Sequence, residues 1–320
     1  VGSEMCIRDR IGVYVLEPAE PLPPMTQEDL EFERFQIKAV SAIEEELDRI
    51  LKTRKQSRIQ TIADMVIRNY GHLDEKINFY QNLRSLEDYV SRHSLNVAIL
   101  CAMITHVMNI RREEQYHTVC AALLHDMGKL KKHEDVYFGA PYSREDAIRN
   151  CETQEEAYSV IEDAFATEGP AIRRICQQAA GKQLDLFPEE GKESRYKMLE
   201  GSNVLLVANR YDEITAMTLQ GTAQSEVKAA QELLEHPEVY DPETVQALLR
   251  SINILPPGAS VELSTGEKAL VLRENKENVL CPTVVSFRDN SILDLALPQN
   301  EDIQIVDVMK TMDNRYILKK

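Results

Sequence analysis

The stretch Ala121-Ala122-Leu123-Leu124-His125-Asp126-Met127-Gly128-Lys129 decides the fold and the chemistry expected of this chain. Its first four residues are apolar, as in a buried helix, and an imidazole and a carboxylate follow directly. Two such neighbouring side chains can hold one metal ion from a short piece of backbone. Lys129, about one turn later, adds a positive charge for an anionic substrate. The stretch therefore predicts a metal site beside a phosphate-binding position.

A second histidine lies upstream in a segment with helical spacing. His93 precedes four apolar residues that recur every three or four positions, namely Val97, Leu100, Ile104 and Val107. In the second segment one stripe contains Val119, Ala122, Leu123 and Asp126. Because both stripes are apolar, each helix is expected to turn its stripe toward the interior. His93 and Asp126 then reach the same site, unless they form only a hydrogen-bonded pair in the core.

His93, followed 32 positions later by the His-Asp-x-Gly-Lys motif at His125, resembles the HD superfamily of metal-dependent phosphohydrolases. Two later landmarks are similar to the HD-GYP family. One is the helix around Asn209-Arg210-Tyr211-Asp212, where that family has Asp at the position of Asn209, followed by Tyr-Asp-Ala-Leu-Thr. The other is the turn Leu255-Pro256-Pro257-Gly258. The resemblance covers roughly residues 60 to 290 and implies hydrolysis of the bacterial second messenger cyclic di-GMP.

The chain departs from the HD-GYP pattern wherever that family places its further metal ligands. The third-histidine position falls near Glu152 to Gln154, and a His-His-Glu run is matched by Gln177-Gln178-Ala179, or by Gln178-Ala179-Ala180 one residue later. The Gly-Tyr-Pro that names the family is matched at best by Leu186-Phe187-Pro188. The degenerate ligand positions are therefore Glu152, Gln177, Gln178 and Asn209. Neutral amides are poor ligands beside carboxylates and imidazoles, so a second metal ion is not expected.

The retained half of the motif can still hold a single ion. His93, His125 and Asp126 are the predicted ligands, and either Asn209 or Asp212 can complete the set. The expected cofactor is one divalent ion (manganese, iron or magnesium), or none. If chemistry is retained, Asp126 and Lys129 are the catalytic candidates. Lys129 is equally explained as a cation that stabilises a helix C-terminus.

Composition restricts the class of protein. A formal net charge of -16 argues against DNA as a partner, because binding to a phosphate backbone needs a basic surface. The cysteines are dispersed without Cys-x-x-Cys spacing, as expected of reduced thiols. No apolar run is long enough to span a bilayer, and no secretory signal opens the chain. We therefore expect a cytoplasmic protein whose ligand is a cyclic dinucleotide or another small phosphate compound.

The expected fold is mainly α, an HD-type helical bundle with a small C-terminal β module. Residues 26–58 read as a long amphipathic helix, which either packs on its own domain or pairs with a second copy in a homodimer. Residues 59–255 form the helical domain, interrupted by a polar stretch at 181–193 that is either a substrate lid or a loop. Residues 256–320 form the β module and tail, because their pattern alternates and contains turn residues.

The N-terminal residues fall into two segments. Residues 1–10 have no amphipathic period and look like a translated sequencing adapter, so they are excluded from the fold. Residues 11–25 resemble the last strand of a β domain and a linker, which would make the chain a fragment.

The missing ligands favour one function over another. The favoured hypothesis is an HD-GYP-like module that binds a ligand or partner in cyclic di-GMP signalling and is impaired in hydrolysis. The alternative is a residual single-metal phosphohydrolase that uses His93, His125 and Asp126. A purely structural scaffold is the third hypothesis.

Overall fold

The chain forms a series of helices followed by one small β-sheet. The computed structural model describes residues 27–79, 81, 84–131, 143–187, 197–217 and 223–309. The helices are α1 (Gln27–Thr53), α2 (Ile59–Tyr70), α3 (Tyr89–Val107), α4 (Arg112–Leu124), α5 (Arg144–Phe165), α6 (Gly169–Lys182), α7 (Glu200–Thr215), α8 (Glu226–Glu235) and α9 (Pro242–Ser251). Short 3-10 helices at Met127–Lys131 and Gln183–Leu186 follow α4 and α6.

Residues 36–310 form one compact unit, and residues 1–35 and 311–320 are grouped in another. The adapter-like segment at 1–10 and the predicted strand and linker at 11–25 lie outside the described residues. The same holds for residues 188–193 of the predicted lid or loop.

Three helices that are buried on nearly every side lie at the centre of the compact unit. Residues 93–105 of α3, 118–124 of α4 and 204–215 of α7 are all buried. Other elements must therefore cover these segments on every face. Helix α2 packs on α3 and α4, α6 packs on α4 and α7, and α9 packs on α3 and α7. The functional side chains therefore project into a protein core rather than from a surface.

Helix α1 buries its apolar stripe within the single chain. Ile43, Leu47 and Ile50 are fully buried, at the spacing that places them on one helical face. Glu46, on the same helix, accepts hydrogen bonds from the backbone N–H groups of Ser57 and Arg58, just before α2 begins. Packing in cis thus accounts for the stripe, which the sequence had left open between this role and a dimer contact.

The β module is one antiparallel sheet of five strands. Its strands are β1 (Ser260–Leu263), β2 (Lys268–Arg273), β3 (Thr283–Ser286), β4 (Ile292–Asp294) and β5 (Ile305–Val308), in the order β4-β3-β2-β1-β5. Gln231 of α8 donates to the β5 carbonyl of Ile305 at 2.9 Å, and Lys76 pairs with Glu274 at 2.7 Å. The prediction of a mainly α fold with a small C-terminal β module is confirmed.

The described helices include none with the combination of length and apolarity that crossing a membrane requires.

Gly128 allows the 3-10 helix after α4 to lie against α5. A Cβ at this position would stand 2.5 Å from the carbonyl oxygen of Thr153 and 2.6 Å from Oε1 of Gln154. The Gly128 N–H donates to that same Oε1 at 2.9 Å. The glycine of the motif is thus required by a close backbone approach, and that approach brings Gln154 next to Asp126.

We expect Gly128→Ala to lower the free energy of unfolding by about 1–3 kcal/mol, because the added methyl group overpacks a backbone contact. Chemical denaturation of the metal-free protein measures the change. Gly201→Ala is the matched control, since the atom nearest its Cβ is the rotatable Thr118 hydroxyl. An equal or larger loss in the control would contradict the requirement at Gly128.

Candidate metal centre

Three central helices bring the predicted ligands together. His93 lies in the second turn of α3, His125 is the residue that ends α4, and Asp126 follows it. Ligand atoms of these three buried side chains all lie within 4.8 Å of one another. Asn209, near the middle of α7, completes the cluster. Residues 116 positions apart in the sequence, from His93 to Asn209, thus meet in the core.

The outer nitrogen of each histidine ring is occupied by an acceptor. Nδ1 of His93 lies 2.6 Å from Oδ2 of Asp212, and Nδ1 of His125 lies 2.8 Å from the carbonyl oxygen of Ala122. Because both partners accept, each Nδ1 must donate its hydrogen, and the neutral ring then has a lone pair on Nε2. Burial lowers the pKa of His125, which favours the neutral ring.

The inner nitrogens converge with an amide oxygen on one point. Nε2 of His93 and Nε2 of His125 are 3.1 Å apart, and Oδ1 of Asn209 lies 2.8 Å from the first and 2.9 Å from the second. When both rings are neutral, three acceptors therefore face one another without a hydrogen between them. We call these three atoms the acceptor triangle. Its edges match the spacing of about 3.0 Å between neighbouring ligands placed about 2.1 Å from a six-coordinate ion, so the residues fit a divalent cation.

Asp126 adds a carboxylate to one side of the acceptor triangle. Its Oδ2 lies 3.4 Å from Nε2 of His93 and accepts from Nζ of Lys129 at 2.6 Å. Its Oδ1 accepts from Nε2 of Gln154 at 3.3 Å. Burial raises the pKa of Asp126, but the charge of Lys129 and the hydrogen bond from Lys129 outweigh this and hold the pKa well below the usual range. The group is thus an ionised carboxylate with a donor on each oxygen.

Asp212 lies behind His93 rather than in the acceptor triangle. Besides the His93 ring, it accepts two hydrogen bonds from Arg84, at 2.7 and 2.8 Å, one from Gln81 at 2.9 Å and one from Asn96 at 3.0 Å. Burial raises its pKa, but the charge of Arg84 and the hydrogen bonds from His93 and Arg84 lower it far more. Asp212 therefore orients a ligand instead of being one.

Comparison with protein families places these residues in one known domain. Residues 90–217, which include His93, His125, Asp126 and Asn209, match the family model described as HD domain. This part of the chain is similar to HD domains. Neither curated proteins nor solved structures gave a match. The match supports the HD superfamily as a whole and does not distinguish the HD-GYP subfamily within it.

Three of the predicted degenerate positions lie away from the acceptor triangle. Glu152 is exposed, and Gln177 donates to Glu155 at 3.1 Å on the outer side of α5 and α6. Gln178 accepts from the Leu199 N–H at 2.9 Å, next to the start of α7. The two glutamine side chains join α6 to α5 and to the start of α7. Of the four positions, only Asn209 faces the metal ligands.

A cleft opens beside the acceptor triangle. Its wall contains His125, Asp126 and Asn209. Further polar groups come from Lys129, Asn150, Gln154, Gln183 and Glu213, and α6 contributes Cys176, Ala179 and Ala180. Lys129, predicted to bind an anion, is 2% exposed and ion-paired with Asp126. In its present position it neutralises the metal ligand rather than a substrate.

Several residues of the centre were not identified from the sequence. Glu213, four positions after Asn209, accepts from Nδ2 of Asn209 at 3.2 Å, and its i,i+4 spacing is a signal that the sequence does contain. Arg84 has no such signal, because 128 positions separate it from Asp212. Gln154 was noted only as part of a segment without a histidine, although it contacts Asp126 directly.

Replacing Arg84 by Met is expected to lower the free energy of unfolding by about 3–5 kcal/mol, because the Asp212 charge would stay buried without its partner. Denaturation at pH 7 measures the loss. Arg92→Met is the matched control, since Arg92 pairs with the partly exposed Asp88, and it should cost about 1 kcal/mol or less. Equal losses would contradict the role given to Arg84.

The same ion pair sets a pH dependence. The native pKa of Asp212 is depressed, so its stabilising effect is complete above about pH 3.9, where the unfolded carboxyl titrates, and is lost below it. The destabilisation caused by Asp212→Asn should therefore be constant from pH 7 to 5 and shrink between about pH 4 and 3. Unfolding free energies of both proteins across this range measure it. A constant difference down to pH 3 would contradict the depressed pKa.

Proposed function

We propose that this HD domain binds a single divalent metal ion and acts as a ligand-binding or interaction module of cyclic di-GMP signalling, with hydrolysis of the dinucleotide impaired. The proposal retains the HD-GYP relationship that the sequence motifs indicate, and a cytoplasmic location. The observation that carries it is the environment of Asp126. Each of its carboxylate oxygens faces a donor, and one of those donors is the Lys129 ammonium group.

A second cation has no favourable position next to this carboxylate. It would replace the hydrogen bond from Gln154 or stand close to the Lys129 charge, and like charges repel strongly in a buried site. The described residues of α5 and α6 that line the cleft supply amides, a phenol, a thiol and alanines, not imidazoles or carboxylates. Glu213 of α7 also lies in the wall, but it is bonded to Asn209 and faces Arg210. These groups cannot compensate the repulsion between two divalent ions. They support a mononuclear site.

Each residue of the proposed site has a separate task. His93, His125 and Asn209 would hold the ion through the acceptor triangle, with Asp126 as the anionic ligand. When bound, such an ion supplies Lewis acidity toward phosphate oxygens and lowers the pKa of water. Asp212, fixed by Arg84, keeps the proton of His93 on Nδ1, so that Nε2 stays free for the ion. Lys129 limits the negative charge that Asp126 presents to the cleft.

The second candidate is a single-metal phosphohydrolase. It is favoured by the cleft, because His125, Asp126 and Lys129 all form part of its wall. In this version Lys129 would release Asp126 and stabilise negative charge on the phosphate.

Metal content and hydrolysis distinguish the two functions. We expect the protein purified in manganese to contain one ion per chain, and Asp126→Ala to contain much less. Turnover of cyclic di-GMP and of its linear dinucleotide should not exceed that of Asp126→Ala. Glu152→Ala, at an exposed position, is the matched control and should retain the ion.

Robust hydrolysis of cyclic di-GMP that Asp126→Ala abolishes would contradict the proposal. Hydrolysis confined to a small ester such as bis(p-nitrophenyl) phosphate would favour the second candidate. A wild-type protein without metal would refute both and leave the scaffold hypothesis. Binding of cyclic di-GMP is read separately, as an increase in the melting temperature when it is added to the metal-loaded protein.

A further inference from the structure

Asn209 turns its amide oxygen toward the two histidine rings. Its amide nitrogen would be the better partner, because Nδ2 can donate hydrogen bonds to them. In the absence of an ion, the Nδ2–H group could donate to the lone pairs on Nε2 of His93 and His125, whereas Oδ1 only adds a third lone pair. An amide can exchange the two ends by turning over, so something must hold it in the less favourable orientation.

Glu213 provides that restraint. It lies one turn after Asn209 on α7, and its Oε1 accepts from Nδ2 of Asn209 at 3.2 Å. If the amide turned over, Oδ1 would face this carboxylate and two acceptors would meet. Glu213 is 5% exposed, so water does not screen that contact effectively.

Glu213 is itself held in place. Arg210 lies 3.4 Å from its Oε2 and bonds at 2.6 Å to Glu232 of α8. The carboxylate therefore cannot swing away from Asn209 without leaving the Arg210 charge. Glu213 thus links the Asn209 amide to Arg210, and Arg210 is bonded in turn to Glu232 of α8.

We propose that Glu213 is a positioning residue that locks Asn209 with its oxygen toward the metal ion. This inference rests on the proposed mononuclear site and adds to it a reason why an amide serves there. A carboxylate presents an oxygen in either orientation and needs no restraint, whereas an amide does. The Asn209 amide thus connects the Glu213 carboxylate to the position of the ion.

The test is a double-mutant cycle read as Mn²⁺ affinity by calorimetry on metal-free protein. Glu213→Ala should weaken binding about 10–100-fold, the usual effect of removing a group that orients a ligand. In the Asn209→Asp background the same change should alter affinity by no more than about twofold, because the restraint is no longer needed. Glu235→Ala is the matched control: it removes an exposed carboxylate at the C-terminal end of α8, and should leave affinity within about twofold of wild type.

Equal losses in the wild-type and Asn209→Asp backgrounds would mean that Glu213 acts only on the fold, and would overturn the inference. An unchanged affinity in Glu213→Ala would overturn it as well. If Glu213→Ala does not fold, Glu213→Gln takes its place in both backgrounds, with a smaller loss expected only beside Asn209, because an amide oxygen is a weaker acceptor than a carboxylate.

A measurement without metal separates this inference from the proposed function. The ¹⁵N resonances of the histidine rings in the chelator-treated protein report whether Nε2 accepts a hydrogen bond. These signals should shift in Glu213→Ala, as Nδ2–H of Asn209 turns toward the rings, and should not shift in Glu235→Ala. Unmoved signals would overturn the positioning role even if the wild type binds metal. A shift in a protein that binds no Mn²⁺ would overturn the proposed function alone.

Discussion

The site depends on the convergence of three acceptor atoms, Nε2 of His93, Nε2 of His125 and Oδ1 of Asn209, in a buried core. Atoms with only lone pairs repel one another at this distance, so each must be forced inward by a partner behind it. Asp212 does this for His93, the Ala122 carbonyl for His125 and Glu213 for Asn209. A cation resolves the repulsion, and the surrounding fold keeps the atoms in place for it.

The energetic consequence is that much of the polar interior serves orientation. The ion pair between Arg84 and Asp212 is almost fully buried, and an arrangement of this kind often contributes less to stability than an apolar pair of the same volume. Here the ion pair holds Asp212 in the position that keeps the hydrogen of His93 on Nδ1. Gln154 and Lys129 limit the site instead, because each donates to the Asp126 carboxylate that a second ion would need. The proposed site therefore holds one metal ion, and hydrolysis that needs two ions is impaired.

Much of the fold and part of the site could be predicted from local patterns. The helices that contain His93, His125 and Asn209 were expected from helical spacing, and the β module from alternation and turn residues, since both signals are local in the chain. The residues of the site were harder to predict from the sequence. Gln177 and Gln178 were assigned by register against a family pattern, but they contact Glu155 and the start of α7. A shift of one residue turns a helical side chain by about 100°, which places Ala179 and Ala180 in the cleft instead.

The sequence by itself determined that His93, His125 and Asp126 belong to one HD-type centre, because adjacent residues and helical stripes restrict which side chains can face the same core. Only the tertiary structure decided what those groups do. Arg84, Gln154 and Glu213 act on the ligands across contacts between separate segments or across one turn of α7, and hydrogen-bond direction depends on both partners. The partners around an amide decide whether its oxygen or its nitrogen faces a ligand, so the identity of residue 209 as Asn does not determine that orientation.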